Sequence, residues 1–205
     1  MAKKIIAVDI DDTIGNTAEE FVRYSNDMWG TSLTEEDFDE DWAKVWGTDY
    51  EETVRRAHLI HEEDPRLFLQ IGVKDHSFEV LSQLARSYTI VCATSRRRSI
   101  APITKEWLDV NYPGIFSSLY FSGIFDEQRT GSALLTKAEL LREIGADYLI
   151  DDQLKHCRAA VDNDMRAILF GTYTWNQDDN LPESVTRCHD WLEVQAFFVA
   201  MMYEI

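Results

Sequence analysis

Cysteine is scarce in this chain, with three residues in 205: Cys92, Cys157 and Cys188. An odd number without CxxC spacing excludes a disulfide framework and a zinc knuckle, leaving three small core residues in a protein kept reduced, as in a cytoplasm. Glycine and proline are also few, 9 and 4, and no Gly/Ser linker, internal repeat or low-complexity tract interrupts the sequence. Basic residues are outnumbered, 20 Lys and Arg against 37 Asp and Glu, for a formal net charge of -17. That deficit argues against a nucleic-acid polymer as partner, because phosphate backbones are held by many Lys and Arg that release counterions. Long apolar runs are missing too. Ile5 to Val8 stop at Asp9, too short for a signal peptide, and the closing VQAFFVAMMYEI is too short to span a bilayer. The expectation is a soluble protein with no membrane partner.

What is present, 45% hydrophobic and 12% aromatic residues, suffices for a real globular core. Apolar runs of strand length fall at residues 4–8, 88–93, 118–121, 147–150 and 166–170, with helix-period segments between them. Thr17 with Glu20 reads as a capping box, followed by a stripe of Ala18, Phe21, Val22, Ser25 and Trp29 that Gly30 closes. Phe78, Leu81, Leu84 and Ala85 share one helix face; Ile103, Trp107 and Val110 share another, in a helix opened by Pro102. Thr136 and Glu139 form a second capping box, with Gly145 at the far end. Strands alternating with helices predict an α/β fold with a parallel sheet. About eighty residues separate the first two strands, too many for one crossover, and helical patterns at 16–30, 34–46 and 49–63 predict an inserted helical subdomain. Residues 35–64 hold twelve Asp or Glu against three Lys or Arg, read as a solvated acidic surface.

The stretch IIAVDIDDTIGN, residues 5–16, runs a buried strand straight into Asp9, Asp11 and Asp12. Like charges brought together resist ionisation, so a positive partner is expected there. In an open parallel sheet, ligands bind at the carboxyl ends of the strands. That rule selects Asp9 to Thr13, then Thr94 and Ser95 after TIVCA, then Asp151 and Asp152 after DYLI. Lys137, in the first turn of the helix before that last strand, reaches the same edge. Oxygen ligands without His or Cys suit Mg2+, which often binds one or two carboxylates plus a substrate phosphate. Each piece alone has an ordinary reading, from an acidic turn to a helix N-cap; their order and common placement point to a site.

DIDDT, Thr94 at a strand end, Lys137 and LIDD resemble the four ordered motifs of the haloacid dehalogenase-like hydrolase superfamily. TSRR, TKEWLDVNYPGIF, YLIDD and ILFGTYTWNQ are similar to segments of its 5′-nucleotidase and 5′(3′)-deoxyribonucleotidase group. The resemblance implies a Rossmann-like core over residues 1–15 and 76–205, a helical cap over 16–75, and Mg2+-dependent phosphomonoesterase activity. It implies Asp9 as the nucleophile that forms an aspartyl-phosphate, and Asp11 as the acid that protonates the leaving oxygen and then activates water. Thr94 and Lys137 would neutralise phosphoryl charge, and Mg2+ would be held by Asp9, the Asp11 backbone carbonyl and Asp152, with Asp151 close by. Thr94, Ser95, Arg96 and Lys137 would bind the substrate, a small phosphorylated metabolite of the nucleoside 5′-monophosphate or deoxynucleotide class. Alternatives are a phosphatase for a sugar phosphate and a phosphate-binding module without turnover; the second motif carboxylate, Asp11, speaks for catalysis. Two departures bear on the substrate: Asp12 stands where the deoxyribonucleotidases usually carry Gly, and the cap is shorter and strongly acidic.

Arg96, Arg97 and Arg98 offer either one hold on a second anionic or base-bearing part of the substrate, or solvated surface. His58, His61 and Glu62 share an insert helix without a further ligand and read as ordinary side chains. Phe21, Trp29, Phe38, Trp42, Trp46 and Tyr50 either wall a pocket for a flat base or form the core of the insert. A cytoplasmic location is expected, and the chain admits a homodimer.

Overall fold

A computed structural model describes residues 2–122, 135–178 and 180–202. Their strands are β1 (Ile5–Val8), β2 (Thr89–Thr94), β3 (Ser118–Phe121), β4 (Tyr148–Asp151), β5 (Arg166–Phe170) and β6 (Val185–Cys188). Between β1 and β2 lie α1 (Thr17–Trp29), a 3-10 turn (Glu35–Asp37), α2 (Trp42–Trp46), α3 (Tyr50–His58), a π turn (Leu59–Glu63), α4 (Leu67–Gln70) and α5 (Ser77–Leu84). Helix α6 (Ala101–Asn111) joins β2 to β3, α7 (Lys137–Ile144) precedes β4, α8 (Leu154–Val161) follows it, and α9 (Trp191–Met201) comes after β6.

The strands form one parallel sheet in the order β3-β2-β1-β4-β5-β6, an α/β Rossmann-like arrangement. Successive strand side chains point to opposite faces, so Ile6 and Val8 join one apolar layer and Ala7 the other. The first layer takes Trp107 and Leu108 of α6 and Val194 and Phe198 of α9; the second takes Leu141 of α7 and Cys157 of α8. Cover on both faces accounts for strands that are unbroken apolar runs. Cys92, Cys157 and Cys188 are free and buried. Among the described residues, no helix is long and apolar enough to cross a membrane.

The helical segment after β1 shares the first layer: Phe21, Val45, Trp46, Ile60, Leu67 and Phe68 belong to the same apolar cluster as Ile6 and Val8. Its two ends leave the sheet side by side. The Asn16 N–H donates to the Gly72 carbonyl at 2.8 Å, and the Lys74 N–H to the Ile14 carbonyl at 2.9 Å. Gly15 permits this approach, since a Cβ there would lie 2.8 Å from Ile71 Cγ2.

Several sequence expectations are revised. Asn16, not Thr17, is the N-cap of α1, without a side-chain bond; the Thr17 hydroxyl is spent on Asp11 and Glu20 on Arg23. The Thr136–Glu139 box does form, with Gly145 left-handed at the far end. The helix expected at 34–46 breaks because the Asp41 carboxylate accepts from the Ala43 and Lys44 N–H groups and starts α2 afresh. In α6, Thr104 and Leu108 flank Trp107 in the buried stripe while Val110 is 72% exposed, and in α5 Val80 is buried while Phe78 is 37% exposed. Strand β6 and helices α8 and α9 were not anticipated. The β6 sequence VTRC is short and carries a charge, and WLEVQAFFVAM is apolar nearly all round, which leaves the helical period little contrast.

Candidate active site

The winding of the sheet reverses between β1 and β4, and the crevice beyond their carboxyl ends is where such folds bind ligands. Asp9 is the first residue past β1, held in line by its N–H, which donates to the Ile150 carbonyl at 3.0 Å. Asp151 ends β4, Asp152 follows it, and Thr94 ends β2. Lys137 is the first residue of α7, whose capping box aims its stem inward so that Nζ lies 2.7 Å from Asp151 Oδ2 and 2.9 Å from Asp9 Oδ1. All five side chains are buried. The predicted set Asp9, Thr94, Lys137, Asp151 and Asp152 therefore meets at one edge.

One carboxylate oxygen each from Asp9, Asp151 and Asp152 lies within 4.8 Å of the others. Three buried carboxylates face a single ammonium, and the imbalance shows in their ionisation. Burial pushes Asp9 up to about 7, against the pull of Lys137 and with the repulsion of Asp151 and Asp11. Burial, then Asp151 and Asp9, raise Asp152 well above the carboxylate range. Burial opposes the charge of Lys137, but Asp151 and Asp9 raise its pKa above the ordinary value. Asp9 Oδ1 contacts the Lys137 ammonium at 2.9 Å, a charge-assisted contact that Lys137 divides with Asp151. Hard oxygen donors brought together with more negative charge than the one ammonium offsets are a donor set suited to a small divalent cation.

Asp11 points elsewhere. Its carboxylate receives the Arg96 guanidinium, with Nε at 3.0 and 3.1 Å from the two oxygens and a terminal nitrogen at 2.6 Å, and the Thr17 hydroxyl at 2.7 Å. Burial works to raise Asp11, but the Arg96 charge and hydrogen bonds outweigh it and hold the group below its ordinary value. Arg96 itself is buried, with Phe68 beneath its guanidinium at 5.1 Å. The arginine expected on the substrate is thus occupied by Asp11 in this structure. Thr94 Oγ1 accepts the Arg96 N–H at 3.1 Å, shaping the turn after β2, while the buried hydroxyls of Ser95 and Ser122 find no hydrogen-bond partner among the described residues.

The far wall comes from the segment after β5. The Trp175 indole N–H donates to Asp152 Oδ2 at 2.6 Å, and Asn176 Nδ2 donates to the Asp152 carbonyl at 2.9 Å. Tyr173 stacks on Trp175, with centroids 4.6 Å apart, and its hydroxyl donates to the Asp12 carbonyl at 2.7 Å. Asp12 has φ +53°, the left-handed region in which glycine is at ease. Its carboxylate accepts the Ala18 N–H at 3.1 Å, and burial raises it to about 7 against Lys74. Sequence reasoning missed Thr17, Ser122, Tyr173, Trp175 and Asn176 as individuals; the segment TYTWNQ was the available signal.

Among the insert aromatics, Trp46 is buried on Phe21 with its N–H donating to Ser25 Oγ, so it is packing rather than a pocket wall. Trp42 is half-buried and stacked on His61, whose pKa burial lowers to about 4. Phe38 meets Trp175 edge-on at 5.3 Å. Of the two readings open for the Arg96–Arg98 run, solvated surface does not hold for Arg96, which is buried.

The model of the family described as 5′ nucleotidase, deoxy (Pyrimidine), cytosolic type C protein matches residues 3–203. No curated protein matches the chain. Solved structures share its fold. A haloacid dehalogenase-like family hydrolase from Streptococcus pneumoniae superposes with a TM-score of 0.69 at 14% identity, over 96% of this chain and 98% of that one. A protein from Clostridium acetobutylicum described as a predicted phosphatase gives 0.67 at 16% identity, over 97% and 100%. YfnB of Bacillus subtilis, described as a HAD-hydrolase and bound to magnesium, gives 0.64 at 14% identity, over 97% and 100%. The fold is shared with haloacid dehalogenase-like hydrolases, and the chain belongs to the 5′ nucleotidase, deoxy (pyrimidine), cytosolic type C family.

Proposed function

We propose that this protein is a Mg2+-dependent phosphomonoesterase of the cytoplasm that acts on nucleoside 5′-monophosphates or deoxynucleotides, with Asp9 as the nucleophile. The observation that carries the reading is the buried cluster of Asp9, Asp151 and Asp152 around Lys137, too negative to stand alone. YfnB, of like fold, is bound to magnesium. Asp9, Asp152 and the Asp11 backbone carbonyl, with Asp151 alongside, would hold Mg2+. When bound there it neutralises charge on the phosphoryl oxygens.

The residues of the chain divide the remaining work. An Asp9 oxygen attacks phosphorus and the bond to the ester oxygen breaks, that oxygen taking a proton from Asp11. A water, giving a proton back to Asp11, then attacks the same phosphorus and releases phosphate and the Asp9 carboxylate. Lys137, Thr94 and the Ser95 hydroxyl, which has no partner among the described residues, serve the equatorial oxygens, where phosphoryl transfer asks for positioning and charge neutralisation. To donate its proton, Asp11 must leave the Arg96 fork, so we assign Arg96 to the substrate once it enters.

We assign residues 16–75 to a cap over this edge and 1–15 with 76–205 to the core. We assign Phe38, which borders Trp175, and the half-buried Trp42, rather than the buried Trp46, to meet a base; stacking of that kind is worth ~1–3 kcal/mol per base. The acidic surface of the cap disfavours long polyanions. The test is phosphate release from mononucleotides, phosphorylated oligonucleotides and sugar phosphates, with Mg2+ and with chelator. We expect Mg2+-dependent release with the highest kcat/KM for mononucleotides. Better turnover of sugar phosphates would overturn the substrate, and release unaffected by chelator would overturn the metal.

A further inference from the structure

Asp152 is the carboxylate of the cluster that lies farthest from Lys137 in bonding terms, since the ammonium serves Asp151 and Asp9. Its orientation is set instead by Trp175 Nε1 at 2.6 Å and Gln153 Nε2 at 3.1 Å. Both donors fall on Oδ2, and Oδ1 accepts from neither. Gln153 is adjacent in sequence and follows Asp152 wherever it goes. Trp175 arrives from 23 residues away, on a segment pinned by Asn176, which donates to the Phe170 and Asp152 carbonyls.

The indole is itself clamped. Tyr173 lies flat against it, 2° from parallel, and is anchored through its hydroxyl to the Asp12 carbonyl in the first motif loop. The ring edge meets Phe38, which belongs to the helical insert and packs at 5.3 Å on Phe21 of α1. One side chain therefore touches a cluster carboxylate and the insert, and is held through Tyr173 to the first motif loop. We propose that Trp175 is a positioning residue that fixes Asp152 for the metal and transmits the placement of the cap to it through Phe38, so that cap seating and metal affinity are coupled. This rests on the metal-dependent reading above. Hydrogen-bonded partners of ligating carboxylates tune metal affinity by about 10–100-fold, and any coupling between two binding events is reciprocal.

The experiment is a Mg2+ titration of the melting temperature on the chelator-stripped full chain, with wild type, Trp175→Phe, Phe38→Leu and, as a cap-packing control, Leu33→Ala, at a half-buried insert residue packed on the apolar cluster that holds Phe21. Trp175→Phe keeps an aromatic ring and removes the N–H; we expect about 10–100-fold weaker Mg2+ binding, with turnover recovering when Mg2+ is raised by the same factor. Phe38→Leu leaves the N–H in place and should still weaken binding about threefold, a fraction of that loss, whereas Leu33→Ala should leave it unchanged. A melting temperature that ignores Mg2+ in the wild type overturns the metal reading and this inference with it. A wild type that responds while Trp175→Phe binds equally well overturns the inference alone. Should Trp175→Phe not fold, Phe38→Leu decides: affinity equal to that of the Leu33→Ala control overturns the coupling.

Discussion

Two regions of this molecule are crowded with carboxylates, and they behave in opposite ways. In the insert, residues 35–64 carry twelve acidic side chains, yet those with shifted pKa values are held low by neighbours in solvent. Glu52, drawn down to about 2, accepts from Arg55 and Arg56 one turn away; Asp39 pairs with Lys44 and Asp64 with Arg66. At the sheet edge only a handful of carboxylates gather, but Asp9 and Asp152 are buried and pushed up. Charge count does not mark a site. Burial without enough counter-charge does, because the free energy withheld from those groups is available to a cation that enters.

The contrast can be broken at Asp9 first. Asp9→Asn should lower kcat by about 10⁴-fold or more, since members of a covalent apparatus fail together, and should raise the melting temperature without metal by relieving the crowding. Glu36→Gln on the insert surface should change neither activity nor melting. Next in size is Lys137→Ala. Removing the single buried ammonium leaves Asp151 and Asp9 unmatched and should cost ~3–5 kcal/mol in chelator, read by urea unfolding, with Mg2+ restoring part of the loss.

How much of this was legible in the sequence follows from the same physics. Asp9, Asp151 and Asp152 were readable because strand ends fix a backbone position and a short stem then fixes the charge, and Lys137 because a helix cap starts its longer stem beside the same edge. The Arg96–Asp11 pair spans 85 residues and depends on a long side chain folding back over Phe68, which no local pattern encodes. Trp175 is in the same position: its segment looked distinctive, but its indole finds Asp152 only once β4 and β5 are paired. The break after Asp41 was missed because a run of Asp and Glu suits both a helix start and a helix surface.

A smaller effect concerns pH. The folded pKa of Asp9, about 7, lies above its unfolded value near 3.8. The native state thus binds the extra proton, and its contribution to stability is complete below the unfolded value and lost as pH rises through 7. Metal-free protein should therefore melt progressively lower from about pH 4 to pH 7, while the Mg2+-induced rise in melting temperature should grow over the same interval. The smallest change is expected from Glu52→Gln, a half-exposed surface residue whose loss should barely register in melting and should fade further with added salt.

The most direct measurement is calorimetric titration of Mg2+ into chelator-stripped protein at pH 7, in two buffers of different ionisation enthalpy, for the wild type and Asp152→Ala. One ion bound per chain, with protons released because Asp9 and Asp152 must give them up, and no such binding in Asp152→Ala, is the result this account predicts. Uptake of several weakly held ions without proton release, unchanged by Asp152→Ala, would assign the cation to the acidic surface of the insert and contradict it.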